Sequence, residues 1–137
     1  MIEAQYPFGF EAIWADMGED GWTCEPLPDS LVRIVAEGVE MTYADAPTYD
    51  SEVFGLAAII CPVDGLQDAG RLCEEALEWN ATHDVTLSLV GDEPLLRAFF
   101  AEEARRFDAA HFRAAIRQVA DAVTVWRERT NVEGGAR

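Results

Sequence analysis

The stretch LLRAFFAEEARRF, Leu95 to Phe107, decides the fold. Its residues are fair helix formers. Read as helix, it would fuse with the segment after it into one long C-terminal rod. Three features point to a strand instead. It follows an alternating run, VTLSLV, across a Gly-Asp-Glu-Pro turn of the length a hairpin uses. Arg97 sits between Leu96 and Ala98, and the adjacent Phe99 and Phe100 can face opposite sides of a sheet. Asp108 then stands where a new helix needs an N-cap. The pattern predicts a strand over residues 95–102 and a separate helix after Asp108.

Working outward, DAAHFRAAIRQVADAVTVWRERT repeats Phe112, Ile116, Val119, Val123 and Trp126 at helical spacing, with Arg113 and Arg117 opposite. On the other side, VTLSLV alternates Val85, Leu87 and Leu89 against Thr86 and Ser88, the mark of a half-buried strand. Before it, LQDAGRLCEEALEWNATH, Leu66 to His83, reads as a helix. Leu66, Ala69, Gly70, Leu72, Cys73, Ala76, Leu77, Trp79 and Asn80 fill about half of its circumference at about 100° per residue. A helix covering one sheet needs a stripe of about 100°. The surplus, with Leu72 and Trp79, has something else to bury, and a second copy is the simplest candidate.

The N-terminal half supplies the remaining elements. FGFEAIWADMG places Phe10, Ile13, Trp14 and Met17 on one face of a short helix stopped by Gly18. WTCEPLP is a short or edge strand because of its prolines. SLVRIVAEGVEMTY reads as strand, turn and continuing strand, and VFGLAAIIC as a buried central strand. The sum is an α+β fold, α-β-β-β-α-β-β-α, with a twisted, mainly antiparallel sheet packed against helices. Residues 1–131 form one domain and 132–137, VEGGAR, a flexible tail.

Composition bounds the function. The 137 residues carry twenty-six acids against ten bases, net −16, and every base is arginine. Residues 1–52 hold twelve acids against Arg33 alone, whereas residues 97–137 hold eight arginines against six acids. Such a chain is repelled by nucleic-acid phosphates and anionic lipid and favours a basic or neutral protein. No apolar run reaches membrane-span length. The acidic start lacks the form of a signal peptide, so a cytosolic location is the expectation. Cys24, Cys61 and Cys73 have no CxxC spacing and read as small core residues in a reducing compartment. NAT at Asn80 matches a glycosylation acceptor, which has no meaning without secretion.

Catalytic chemistry is poorly represented. His83 and His111 lie on different helices without metal-ligand spacing, and His83 suits a helix C-terminal role better than catalysis. No nucleophile elbow, phosphate-binding loop or dinucleotide fingerprint occurs. Cys61 fits a buried strand end better than a nucleophile. The acids of GEDG and GDEP sit in turns and lack calcium-loop spacing. Tyr6, Phe8, Phe10 and Trp14 either cap the core or form an apolar patch for a partner.

The assembled pattern resembles the class I chaperones of bacterial type III secretion, the Tir-chaperone-like group, whose fold is shared by YbjN-like domains. The resemblance spans about residues 8 to 130. It lies in DGWTCEPLPD as first strand, VFGLAAIICPVD before the middle helix, LCEEALEWN in it, VTLSLVGDEPLLRAFF as the later hairpin and FRAAIRQVADAVTVW as closing helix. The short N-terminal helix and the long ADAPTYDSE loop depart from the family pattern. The resemblance implies a homodimer with no metal, nucleotide or other cofactor, bound to the N-terminal segment of a secreted effector in extended form. Carried over, Leu72, Ala76, Trp79, Leu87 and Leu89 would face the second subunit. Phe10, Ile13, Trp14, Leu31, Ile34 and Phe54 would face the client. An acidic immunity protein that plugs a basic toxin site, a YbjN-like regulatory domain and, last, an enzyme are the competing readings.

Overall fold

A computed structural model of the protein describes residues 10–17, 21–47, 52–63, 69–91, 95–103 and 108–134. Helix α1 (Phe10–Met17) leads into strands β1 (Thr23–Leu27), β2 (Leu31–Ala36), β3 (Val39–Pro47) and β4 (Glu52–Pro62). Helix α2 (Ala69–Thr82), strands β5 (Thr86–Val90) and β6 (Leu95–Glu103) and helix α3 (Ala109–Gly134) complete the chain. The six strands form one antiparallel sheet in the order β1-β2-β3-β4-β6-β5. The α+β class expected from the sequence holds, and the deciding stretch is a strand. Leu96, Ala98 and Phe100 point into the core while Arg97 and Phe99 lie on the other face.

One strand more is present than the pattern suggested. SLVRIVAEGVEMTY folds back on itself, so that Ala36 pairs with Val39 and Leu31 with Ala44. The two-residue turn places Glu37 at φ 52° and Gly38 at φ 76°. Paired left-handed residues match the twist of a hairpin, but asparagine or aspartate usually stands at the first position. Glutamate there is an unusual signal, and the turn was legible while the reversal was not. Helix α3 runs on to Gly134, three residues into the expected tail, and residues 135–137 lie outside the described residues.

The core lies between one face of the sheet and helices α1 and α3. Val32, Ile34, Met41, Tyr43, Leu56 and Ala98 supply the sheet side, and Phe112, Ile116, Val119, Val123 and Trp126 the α3 side. Phe10 anchors α1 in an aromatic cluster, its ring 4.9 Å from Tyr43 and 5.7 Å from Phe112. Phe54 joins this cluster 5.8 Å from Tyr43. Asp108 caps α3, accepting a hydrogen bond from the His111 N–H at 2.9 Å. A bulge between Ile59 and Cys61 bends β4. There the Arg127 guanidinium donates to the carbonyls of Ile59 (3.0 Å) and Ile60 (3.3 Å), tying α3 to the sheet.

Among the described residues, the opposite face of the sheet is largely uncovered. Register places Glu25, Arg33, Thr42, Ala57, Phe99 and Thr86 in one row across it. Each of these is exposed or half-buried. Gly55 also lies on this face, and a Cβ there would meet the Phe99 ring at 3.1 Å. The ring covers the glycine backbone in place of a side chain.

Candidate protein-binding site

Of the six residues expected to face a client, three are interior. Phe10 is 1% exposed, and Ile34 and Phe54 are 0% exposed. The reason is geometric: Ile34 and Phe54 lie on the sheet face that α1 and α3 cover, and Phe10 is the residue by which α1 is seated there. The reading of these three as client contacts is therefore corrected to core residues. Ile13, Trp14 and Leu31 are half-buried and keep surface available. Trp14 stacks on Phe10 with ring centroids 5.7 Å apart. Tyr6 and Phe8, the other members of the N-terminal aromatic set, lie outside the described residues.

The five residues expected to face a second subunit divide in the same way. Ala76 and Leu87 are buried within the chain, the first where α2 seats against the body and the second on the covered sheet face. Those two assignments are likewise corrected to internal packing. Leu72 and Trp79 are half-buried, and Leu89 is 48% exposed. Leu77, which the apolar half of the helix included but the dimer set omitted, is 69% exposed. Cys73 is exposed too, contrary to its reading as a core residue, while Cys24 and Cys61 are half-buried. Gly70, Cys73, Leu77 and Ala81 thus make an outward stripe on α2, bordered by Glu74 and Glu78.

Helix α2 lies beside strand β5 rather than on the sheet. Its end is held by polar side chains. The Trp79 indole N–H donates to the Val85 carbonyl at 3.0 Å. The Asn80 amide donates to the Leu87 carbonyl at 3.0 Å and accepts from the Leu87 N–H at 2.7 Å. Asn80, formally a glycosylation acceptor, is committed to the backbone of β5. Trp79 also meets the buried Trp126 edge to face at 6.0 Å, a contact worth about 0.5–1.5 kcal/mol beyond its area. Sequence reasoning grouped Asn80 with the apolar half of α2 and missed this role. The signal was there, since a polar residue on a buried helix face needs a partner.

The residues that an enzyme would recruit have structural work. His83 follows α2, its Nδ1 2.9 Å from the Trp79 carbonyl and its ring stacked on the Trp79 indole at 3.5 Å. The same nitrogen lies 3.0 Å from the Thr82 hydroxyl, so His83 sits against the end of the helix, where its position suggested a capping role. The His111 Nδ1 lies 3.1 Å from the Asp108 carboxylate. That carboxyl is held below its ordinary range first by the His111 N–H and then by the His111 side chain. A cleft of about 290 Å³ is lined by residues including Trp79, His83, Asp84, Gln118 and Asp121. It is at the small end for a ligand pocket. Among the described residues no group of three metal-ligating side chains occurs, and no helix is long and apolar enough to cross a membrane.

Among the described residues, the large apolar side chains left exposed are therefore Ile59, 42% exposed on the sheet face away from α1 and α3, and Leu77 and Leu89 on the α2–β5 flank. No protein-family model matches the sequence, and no curated protein matches it. The fold does have a solved counterpart. A chain of the structure described as the HopA1-SchA chaperone-effector complex superposes with a TM-score of 0.59 at 16% identity. The match covers 76% of this chain and 82% of that one. The protein has a secretion-chaperone-like α+β fold.

Proposed function

We propose that the protein is a non-enzymatic, cytosolic chaperone of type III secretion that holds the N-terminal region of an effector in extended form and acts as a homodimer. The observation that carries this reading is a fold shared with a chain of a chaperone-effector complex, together with large apolar side chains left outside the core. Leu77, 69% exposed on α2, is the largest departure from a self-contained surface. Together with Leu72, Trp79 and Leu89 it suits a second copy. Ile13, Trp14 and Leu31, with the uncovered sheet face, suit the guest. Extended segments take main-chain hydrogen bonds from a strand edge and specificity from apolar surfaces. The net charge of −16 keeps such surfaces soluble.

The same charge favours a second reading, an inhibitor that plugs a basic toxin site. Salt separates the two, because a charge-driven complex weakens steeply as ions screen it and an apolar one does not. The decisive experiment is purification from the native host at low salt, a high-salt wash, identification of the polypeptide that is released or retained, and exchange mapping of its footprint. A protease-sensitive N-terminal segment of a secreted protein, protecting Leu31 and the sheet face, is the expected result. A folded basic protein released by salt would overturn the chaperone reading.

A further inference from the structure

An antiparallel edge strand turns the N–H and C=O of alternate residues outward, where another chain can pair with them. The two edges of this sheet are protected by different means. Strand β1 is five residues long and carries Pro26, which has no N–H, and Glu25. Both are ordinary ways to blunt an edge. The other edge, VTLSLV over residues 85–90, has neither charge nor proline and is rich in strand formers. By composition it is the stretch most prone to pair with a copy of itself.

We infer that Asn80 is a strand mimic that closes the β5 edge against β5 of a second copy. Its amide makes both hydrogen bonds that a neighbouring strand would make with Leu87, at 2.7 and 3.0 Å. The Trp79 indole takes the preceding outward carbonyl, that of Val85. Leu89, the next outward position, is 48% exposed. The occupant follows from charge and symmetry. The strand VTLSLV carries no charged side chain, so pairing it with its own copy brings no like charges into direct contact, although the net charge of −16 opposes association of the two copies as a whole. Antiparallel pairing centred on Leu87 would be self-complementary about a two-fold axis. This goes beyond the chaperone reading and requires no guest.

The test uses the full chain alone. In Asn80→Ala diluted until it no longer associates through this edge, amide exchange at Leu87 should accelerate by about tenfold or more, with the amides of β4 unchanged. At the concentration where the mass rises, that protection should return. Molecular mass at matched concentration should rise above that of the wild type. Asn80→Ala combined with Leu77→Glu should be heavier than Leu77→Glu alone, which places the new contact on the strand edge and not on the outer face of α2. Asn80→Asp keeps the acceptor for the Leu87 N–H, so Leu87 should stay protected there; this variant carries the test if the alanine variant fails to fold. Unchanged Leu87 exchange in dilute, unassociated Asn80→Ala, or fast exchange in Asn80→Asp, would overturn the inference. So would an Asn80→Ala mass equal to that of the wild type, or a double variant no heavier than Leu77→Glu alone. None of these results depends on whether an effector binds.

Discussion

Helices α2 and α3 are both amphipathic, yet they do opposite work. Helix α3 lies across the sheet and buries Phe112, Ile116, Val119, Val123 and Trp126 completely, with Ala115, Ala120 and Ala122 almost so. Helix α2 buries only Ala76 among its described side chains, meets β5 through Trp79 and Asn80, and leaves Leu77 in water. The apolar residues of α3 are spent on the core. Those of α2 exceed what its seat can cover. Apolar periodicity reports that a helix has a greasy side; whether that side becomes core or interface depends on where the helix comes to rest.

The contrast is tested first at its extreme. Trp126→Ala should cost about 3–5 kcal/mol, as large core truncations do. Leu77→Ala in the monomer should change stability by less than about 0.5 kcal/mol. Urea melts of the two variants decide this, and similar losses would mean that α2 is as deeply packed as α3. Next, Leu77→Glu should weaken self-association by roughly tenfold to a hundredfold, the equivalent of one buried leucine. Sedimentation of the wild type as a monomer at every concentration would remove that face from the interface.

Two smaller effects probe the local signals at either end of the same core. Glu37→Asn should raise stability by about 0.5–1 kcal/mol by relieving the left-handed strain at the hairpin turn. An unchanged melting temperature would show that Glu37 is compensated, for example through its 3.7 Å ion pair with Arg117. Asp108→Ala should destabilise α3 at neutral pH. Because the folded-state pKa of Asp108 lies below its ordinary value, the stabilisation is complete above that ordinary value and is lost as pH falls through the lower one. The melting temperatures of wild type and variant should therefore converge in strong acid. A constant gap across pH would mean that the cap does not act through the carboxylate.

Much of the architecture was legible because it rests on local rules. The alternation around Arg97, the turn before Leu95 and the cap at Asp108 together decided strand over helix for the stretch that opens the C-terminal half. VFGLAAIIC, apolar on both faces, correctly marked a central strand, and the prolines of WTCEPLP an edge strand. The reversal at Glu37 and Gly38 was not legible as a new strand because glutamate is not the residue that such turns advertise. The candidate site fared less well. Ile34 and Phe54 read as apolar residues on alternating strands, which says that they share a face with their neighbours but not that a helix lies on it.

Sequence alone determined the type and most of the limits of the elements, the β2–β3 reversal excepted, because helical and strand periods, caps and turns act over a few residues. It also determined the acidity, through composition. Only the tertiary structure decided which sheet face α1 and α3 cover, which of the apolar residues remain in contact with water, and that a side-chain amide of α2 stands in for a strand beside β5. Those outcomes depend on surfaces brought together from distant parts of the chain, and burial is a property of the pair of surfaces rather than of either one.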